Sequence, residues 1–182
     1  DTFPEKDMKL TYEQGFIIGM YLGDGSCYHR QENFTPEVHL SLNKNKYLKS
    51  IDVMEKALSY MDIDAEIKLN KEYNNVYPVC IRASKVYDFI KEWVYGDYAY
   101  EKELNLNCLL QSYEFRKGIV DGLYLTDGGN SNRIYTTSEN LTSQLEVLIS
   151  SLGLNSIIDV SDRTDEKVVI RGEEFTRNYP LY

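Results

Sequence analysis

The first strong pattern along the chain is an apolar stretch that follows a helix-capping signal. Thr11 and Gln14, three residues apart, form a capping box, so a helix is predicted from there to about Gly23. Apolar and polar residues alternate over Val38 to Asn43, which predicts a strand because successive side chains on a strand point to opposite faces. Apolar residues at helical spacing then predict an amphipathic helix over Tyr47 to Met61.

The next segments predict a hairpin and a helix. Residues 65–73 and 76–83 have the composition of strands, and the turn-forming pair Asn74-Asn75 joins them. Ser84 is predicted to cap a helix that ends at Gly96.

After a connector, the same order of elements recurs. A helix is predicted from Ser112 to about Thr126, and it is followed by strand 133–138, helix 139–154, strand 156–161 and one or two strands within 167–182. Asp24 and Asp127 lie 103 residues apart in equivalent places, which indicates an internal repeat. The predicted organisation is an extension (1–10), a first repeat (11–97), a connector (98–111) and a second repeat (112–182). The last helix of the second repeat would either fall beyond Tyr182 or be dispensed with in this half.

Glycines recur four residues apart on the first helix of each repeat, where they would form a stripe without side chains. Two such stripes allow helices to meet backbone to backbone, so we expect them to pack together across a pseudo-twofold axis. The helix-interface residues predicted in this way are Gly15, Gly19, Gly118 and Gly122.

An aspartate ends each of these helices, at Asp24 and Asp127. A carboxylate is disfavoured at a helix C-terminus, where the unpaired carbonyl groups already carry partial negative charge. Two such ends brought together would gather hard oxygen ligands of the kind that Mg²⁺ or a similar divalent cation prefers. The alternative is that each Asp-Gly pair only forms a turn.

Composition narrows the classes of function. The 182 residues carry a net charge of −9 and contain no run long and apolar enough for a membrane span and no secretory signal. The three cysteines form no CxxC pair and no zinc-finger spacing, the two histidines fit no compact metal site, and reduced thiols in the cytoplasm are expected. Motifs for nucleotide hydrolysis, serine esterases and zinc proteases are also absent from the sequence.

Ile17 to Gly25 (IIGMYLGDG) and Val120 to Gly128 (VDGLYLTDG) resemble the two signature motifs of the LAGLIDADG homing endonucleases. The segment that leads into the second motif, 101–129, resembles the intein-associated dodecapeptide branch of that family. The resemblance implies an α+β fold in which an αββαββα unit is duplicated about a pseudo-twofold axis. It also implies two antiparallel sheets forming a saddle over double-stranded DNA, with the motif helices at the centre of a monomer.

The resemblance also implies site residues. Asp24 and Asp127 would hold Mg²⁺ or Mn²⁺ and act in catalysis, and the carbonyl groups of Gly23 and Thr126 would add ligands. Lys102 matches a family active-site lysine, although Asn105 stands where the family pattern has proline. We expect it to contact a phosphate or position water; the alternative is a solvated surface lysine.

The predicted hairpins would read DNA with polar side chains in the major groove. Each of these residues alone is more often part of an ordinary polar strand face. The candidates are Tyr28, His29, Arg30, Gln31, Asn33, His39 and Ser41 in the first hairpin, and Lys68, Asn70, Lys71, Arg82, Asn132, Arg133, Tyr135, Arg163, Lys167 and Arg171 in the other strands.

Three functions remain open at this stage. The chain is a site-specific, metal-dependent endonuclease that makes a double-strand break, a non-cleaving nucleic-acid-binding protein of the same fold such as a maturase or a regulator, or an inert domain within an intein. The paired aspartates favour the first. The net charge of −9 and the acidic segment 159–174 oppose it, since phosphate binding requires lysine and arginine.

Overall fold

Two long helices of equivalent position in the two repeats form the centre of the molecule. The computed structural model describes residues 9–28, 35–70, 76–129, 132–162, 164–165, 167–170, 173–176 and 180–182. The helices are α1 (Tyr12–Asp24), α2 (Lys44–Tyr60), α3 (Ser84–Trp93), α4 (Tyr113–Asp127) and α5 (Glu139–Ser151), with a short 3-10 helix over Leu106–Leu110. The strands are β1 (Gly25–Tyr28), β2 (Glu37–Asn43), β3 (Ile67–Leu69), β4 (Val76–Arg82), β5 (Val94–Tyr95), β6 (Glu103–Leu104), β7 (Lys167–Ile170) and β8 (Glu173–Thr176).

Side-chain caps begin four of the five helices. The predicted capping box of α1 is present, because Thr11 accepts from the amide of Gln14 and the Gln14 side chain accepts from the amide of Thr11. Asn43, Ser112 and Ser138 cap α2, α4 and α5. Ser84 does not cap α3: Ala83 holds that position and makes no side-chain cap bond, so the predicted cap is wrong by one residue.

The first repeat contains an antiparallel sheet of four strands in the order β1-β2-β4-β3. Strand alternation puts Val38, Leu40 and Leu42 on one face, where all three are fully buried in the core. Their neighbours point to the opposite, polar face. The predicted alternation is therefore confirmed.

The second repeat pairs its segments in the same order as the first, but through fewer backbone hydrogen bonds. Gly128 bridges to Ile134, Thr136 exchanges two backbone hydrogen bonds with Tyr182, and Ser161 bridges to Leu181. These pairings follow the β1-β2, β2-β4 and β4-β3 pairings of the first repeat. The part of the second repeat that the structure describes thus repeats the first topologically, with single bridges in place of long ladders.

The predicted strand over 156–161 is wrong in length. Only Ser161 pairs, while the side chain of Ile157 is 95% exposed and contacts no core. An apolar composition indicates a strand only where a neighbouring strand and a buried face exist, and residues 154–160 have neither in the described part of the chain. β7 and β8 instead pair with each other.

The connector is tied to both repeats. Its β6 pairs with β5, which replaces the last turn of the helix predicted to continue to Gly96. The amide of Leu104 donates to Gln144 on α5, and the hydroxyl of Ser138 donates to the carbonyl of Lys102. The backbone on either side of Lys102 is consequently held against α5.

These features confirm the predicted α+β fold, with antiparallel strands around two central helices. Among the described residues, no helix combines the length and apolar character needed to cross a membrane.

Candidate active site

The contact between α1 and α4 is made backbone to backbone at the glycines. A Cβ atom on Gly15 would lie 2.1 Å from the carbonyl oxygen of Phe115, and one on Gly118 would lie 2.1 Å from that of Tyr12. Both members of the second contact lie 103 residues from their counterparts in the first. The two contacts are therefore equivalent under a twofold exchange of the repeats.

The next turn repeats the arrangement. A Cβ on Gly19 would lie 2.0 Å from the carbonyl oxygen of Ile119, and one on Gly122 would lie 2.1 Å from that of Phe16. No side chain fits at these positions without separating the helices. All four glycines predicted from the spacing thus lie in the helix contact, and they fix how closely the C-terminal ends approach.

The symmetry ends at the third turn, where Gly23 faces Thr126. A Cβ on Gly23 would lie 2.1 Å from Thr126 Oγ1 and 3.0 Å from Asp127 Oδ2. Thr126 Oγ1 donates within its own helix, to the carbonyl oxygens of Leu123 and Gly122. The close approach of Gly23 to Asp127 brings the ends of the two motifs together.

The two motif aspartates occupy a partly buried, electrostatically strained position. Burial raises the pKa of Asp24, and the ammonium groups of Lys46 and Lys102 oppose that rise. Burial together with the charge of Asp24 raises the pKa of Asp127 to about 6, again against the two lysines. Because each aspartate interacts with the same two lysines, the acid pair and the lysines form one coupled site.

Lys102 lies inside this site and is not a surface lysine. It is only 3% exposed, and its Nζ lies 2.7, 3.0 and 2.9 Å from the carbonyl oxygens of Tyr21, Leu22 and Gly25. Tyr21 and Leu22 lie in the last turn of α1, where the carbonyl groups carry partial negative charge, and the Tyr21 carbonyl also accepts from the amide of Gly25. Lys102 therefore caps the C-terminal end of the helix. Burial lowers its pKa to about 8, while both aspartates act to raise it.

Lys46 is a member of the site that sequence reasoning missed. It lies in the first turn of α2, where its Nζ donates to Asp24 Oδ2 at 3.1 Å and to the carbonyl oxygen of Thr126. It therefore links the acid of the first motif to the end of the second helix. The one feature of the sequence that could have indicated Lys46 is its position three residues after the cap Asn43. A side chain at this position in the first turn points back towards the start of the helix.

Replacing Lys46 with methionine is expected to destabilise the fold at neutral pH by about 1–3 kcal/mol, since Asp24 would keep a partly buried charge without its partner. The loss should be smaller at pH 4, because burial raises the pKa of Asp24 and so favours its neutral form in the folded state at acidic pH. Urea unfolding at the two pH values measures the effect. Lys44→Met, at an exposed position in the same helical turn, is the control, and equal stability of the two variants at pH 7 would contradict the assigned contact.

The polar face of the four-stranded sheet carries five of the DNA-binding candidates. The β-ladder register places His39 of β2 between Ser26 and Cys80, and Cys80 beside Lys68. Two residues before His39 on β2, Glu37 pairs with Tyr28 and Arg82. Two residues after His39, Ser41 lies on the same face and pairs with Pro78. The structure therefore gathers Tyr28, His39, Ser41, Lys68 and Arg82 on one surface.

The remaining candidates divide into two groups. Asn70 extends β3 as an exposed residue, Asn132 adopts φ 56°, Arg133 and Tyr135 are exposed on either side of Ile134, and Lys167 lies in β7. Seven candidates fall outside the described residues: His29, Arg30, Gln31, Asn33, Lys71, Arg163 and Arg171.

The oxygen atoms at the helix ends fit a hard divalent cation, with one difference from the expected ligand set. The carboxylates of Asp24 and Asp127 supply anionic oxygens whose raised pKa values reflect burial. The carbonyl groups of Gly23 and Thr126, predicted as further ligands, face Lys102 and Lys46. The fit to Mg²⁺ or Mn²⁺ thus rests on the two carboxylates.

No family model matches the sequence. A search of curated proteins also finds no significant match.

Solved structures give a clear match. The homing endonuclease I-DmoI in complex with DNA and Mn aligns with a TM-score of 0.64 and 16% identity over 84% of this chain and 84% of that one. A variant of I-DmoI bound to target DNA nicked in the coding strand has a TM-score of 0.62 and 15% identity over 81% and 80% of the two chains. The complex of I-DmoI with DNA and Ca has a TM-score of 0.60 and 15% identity over 81% and 75%. The chain therefore shares the fold of the homing endonuclease I-DmoI.

Proposed function

We propose that this protein is a LAGLIDADG-type, site-specific DNA endonuclease that hydrolyses phosphodiester bonds with a divalent metal and makes a double-strand break. The observation that carries the proposal is the pair of partly buried acids, Asp24 and Asp127, at the abutting ends of two glycine-packed helices. The C-terminal end of a helix is an unfavourable place for a carboxylate. Two carboxylates at adjacent C-terminal ends accumulate negative charge that a bound cation relieves.

Asp24 and Asp127 would hold Mg²⁺ or Mn²⁺ through their carboxylates. When bound, the metal would supply Lewis-acid stabilisation of the scissile phosphate and a water of lowered pKa. Lys46 keeps an ammonium group next to Asp24, from which it can donate to a phosphate oxygen. Lys102 caps α1 and so fixes the position of Asp24; its role is to position the site, since its Nζ is already bonded to backbone carbonyl groups.

The polar face of the four-stranded sheet is the proposed DNA-reading surface. Its side chains are of the types that hydrogen bond to base edges and phosphates. Of the cations on this face, Arg82 is bonded to Glu37, whereas Lys68 is 62% exposed and lies 3.8 Å from Glu66. Arg82 and Lys68 are the arginine and lysine residues in the described part of this face, so we expect this part to contribute a shallow dependence of DNA affinity on salt concentration.

The proposal is tested by incubating the protein with a randomised double-stranded DNA library in Mg²⁺ or EDTA and sequencing the cut ends. The expected result is enrichment of one long site, cut only with metal. Asp24→Asn should retain DNA binding and lose cutting. Asp52→Asn, an exposed aspartate on α2, is the matched control and should cut like the parent.

A second function, sequence-selective DNA binding without cleavage, is favoured by one observation. Lys46 donates both to Asp24 and to the carbonyl oxygen of Thr126, where it competes with a metal for the same oxygens. Binding of one DNA site without cutting in Mg²⁺ or Mn²⁺ would establish this function in place of the first. A protein that neither binds nor cuts DNA would contradict both.

A further inference from the structure

A second set of metal-ligating side chains lies on the polar face of the four-stranded sheet, outside the acid pair. Glu37 and His39 are two residues apart on β2 and so point to the same side. Cys80 on β4 is the direct cross-strand partner of His39. Three different ligand types thus meet at one point on the sheet, although the cysteine is 41 residues from the histidine in the sequence.

The ligand atoms are already close together. Glu37 Oε2 lies 2.9 Å from His39 Nε2 and 3.5 Å from Cys80 Sγ, and all three atoms fall within 4.8 Å of one another. Zinc bonds of about 2.0–2.3 Å in a tetrahedron put an oxygen about 3.3 Å from a nitrogen ligand and about 3.6 Å from a sulfur ligand. The distances from Glu37 Oε2 to His39 Nε2 and to Cys80 Sγ are close to these expected separations between zinc ligands.

The three ligand types at this point of the sheet favour zinc over the hard cations expected at Asp24 and Asp127. Thiolate, imidazole and carboxylate together are a zinc combination, whereas Mg²⁺ and Ca²⁺ prefer oxygen alone. The site is accessible, with the side chains of His39 and Glu37 31% and 23% exposed. The Nε atom of Arg82 donates to the other carboxylate oxygen of Glu37 at 2.7 Å, which holds Oε2 towards the histidine and the cysteine.

We propose that Glu37, His39 and Cys80 bind a zinc ion on the polar face of the sheet, with its fourth position open to solvent. On binding, the thiol of Cys80 gives its proton to the solvent and the thiolate forms the zinc–sulfur bond, so the charge of the cluster rises by one unit. The site is independent of the proposed endonuclease function, because it uses neither Asp24 nor Asp127. It would nevertheless change the charge of the surface that carries the DNA-binding candidates.

The test is a titration of the metal-free full chain with Zn²⁺ against a chromogenic chelator, and with Co²⁺ followed by absorption. We expect one equivalent of bound metal per chain that depends on Cys80, and a thiolate-to-cobalt charge-transfer band. Cys80→Ser should abolish the band and weaken zinc binding at least about 100-fold, as expected for the loss of a primary ligand. Cys27→Ser is the matched control: its partner Val38 is buried on the opposite face of the sheet, so the band and the affinity should persist.

Glu37→Gln gives a second measurement that does not alter a buried residue. It should keep the cobalt band, because the thiolate remains, but should weaken zinc binding. Metal bound at the acid pair would show no thiolate band. Failure to bind an equivalent of zinc, absence of the band, or a band that survives in Cys80→Ser would each overturn the proposal.

Discussion

Replacing Asp127 with asparagine is expected to stabilise the fold at neutral pH by about 1–3 kcal/mol. Burial and the neighbouring Asp24 raise the pKa of Asp127 from 3.8 to about 6. The folded state therefore holds this proton to a higher pH than the unfolded state, and stability is lost as the pH rises through about 6. Asparagine does not titrate and so avoids that loss. The difference in free energy of unfolding between variant and parent should therefore be present at pH 7 and vanish near pH 4.

Urea unfolding of both proteins across this pH range measures the difference. The control Asp52→Asn alters an exposed aspartate and should leave the pH profile unchanged. An Asp127→Asn variant that is less stable than the parent at pH 7 would show that the carboxylate is stabilised by its lysines beyond the cost of burial.

Under the proposed function, the same substitution should reduce cleavage at least about 10³-fold, since a ligand of the metal is lost. The parent should also lose cleavage at acidic pH, where protons compete with the metal for the carboxylate of Asp127. A gain in stability together with a loss of activity would identify a site that keeps a destabilising charge for its chemistry.

Replacing Gly19 with alanine is expected to destabilise the protein by about 3 kcal/mol or more, although alanine is the better helix former by about 0.5–1 kcal/mol. The added Cβ would lie 2.0 Å from the carbonyl oxygen of Ile119 and 2.6 Å from the amide nitrogen of Leu123. Both are backbone atoms of α4, so the clash is relieved only if the helices separate. Separation would also move Asp24 away from Asp127.

Chemical denaturation compares this variant with Gly153→Ala. Gly153 has no atom within 4 Å of an added Cβ, and its φ of +78° limits the cost there to about 1–2 kcal/mol. Equal effects at the two glycines would show that the helices can move apart without loss.

The central helices could be predicted because their signals are local and occur twice. The capping residues, the glycine spacing and the terminal aspartates all lie within single segments of sequence. The glycines and the aspartate recur 103 residues later, and the caps Thr11 and Ser112 lie 101 residues apart. The first sheet was predictable for a similar reason, since the alternation over Val38 to Asn43 has a buried face to match.

Features that depend on contacts between distant segments could not be predicted. Lys46 joins the site only because α2 packs beside α1, and no motif marks it. Lys102 is buried because its connector is tied to Ser138, the cap of α5, whereas its sequence equally fitted a surface lysine. The Glu37, His39 and Cys80 cluster depends on the register between β2 and β4, so linear spacing of histidines and cysteines does not reveal it.

The equivalence of the glycine contacts also affects how the protein assembles. Tyr12 and Gly15 of the first repeat correspond to Phe115 and Gly118 of the second, so each repeat carries both sides of the central contact. A surface that contains both sides is self-complementary and pairs with a second copy about a twofold axis. A fragment limited to the first repeat is therefore expected to form a homodimer through α1, whereas in the full chain the tethered second repeat covers that surface first.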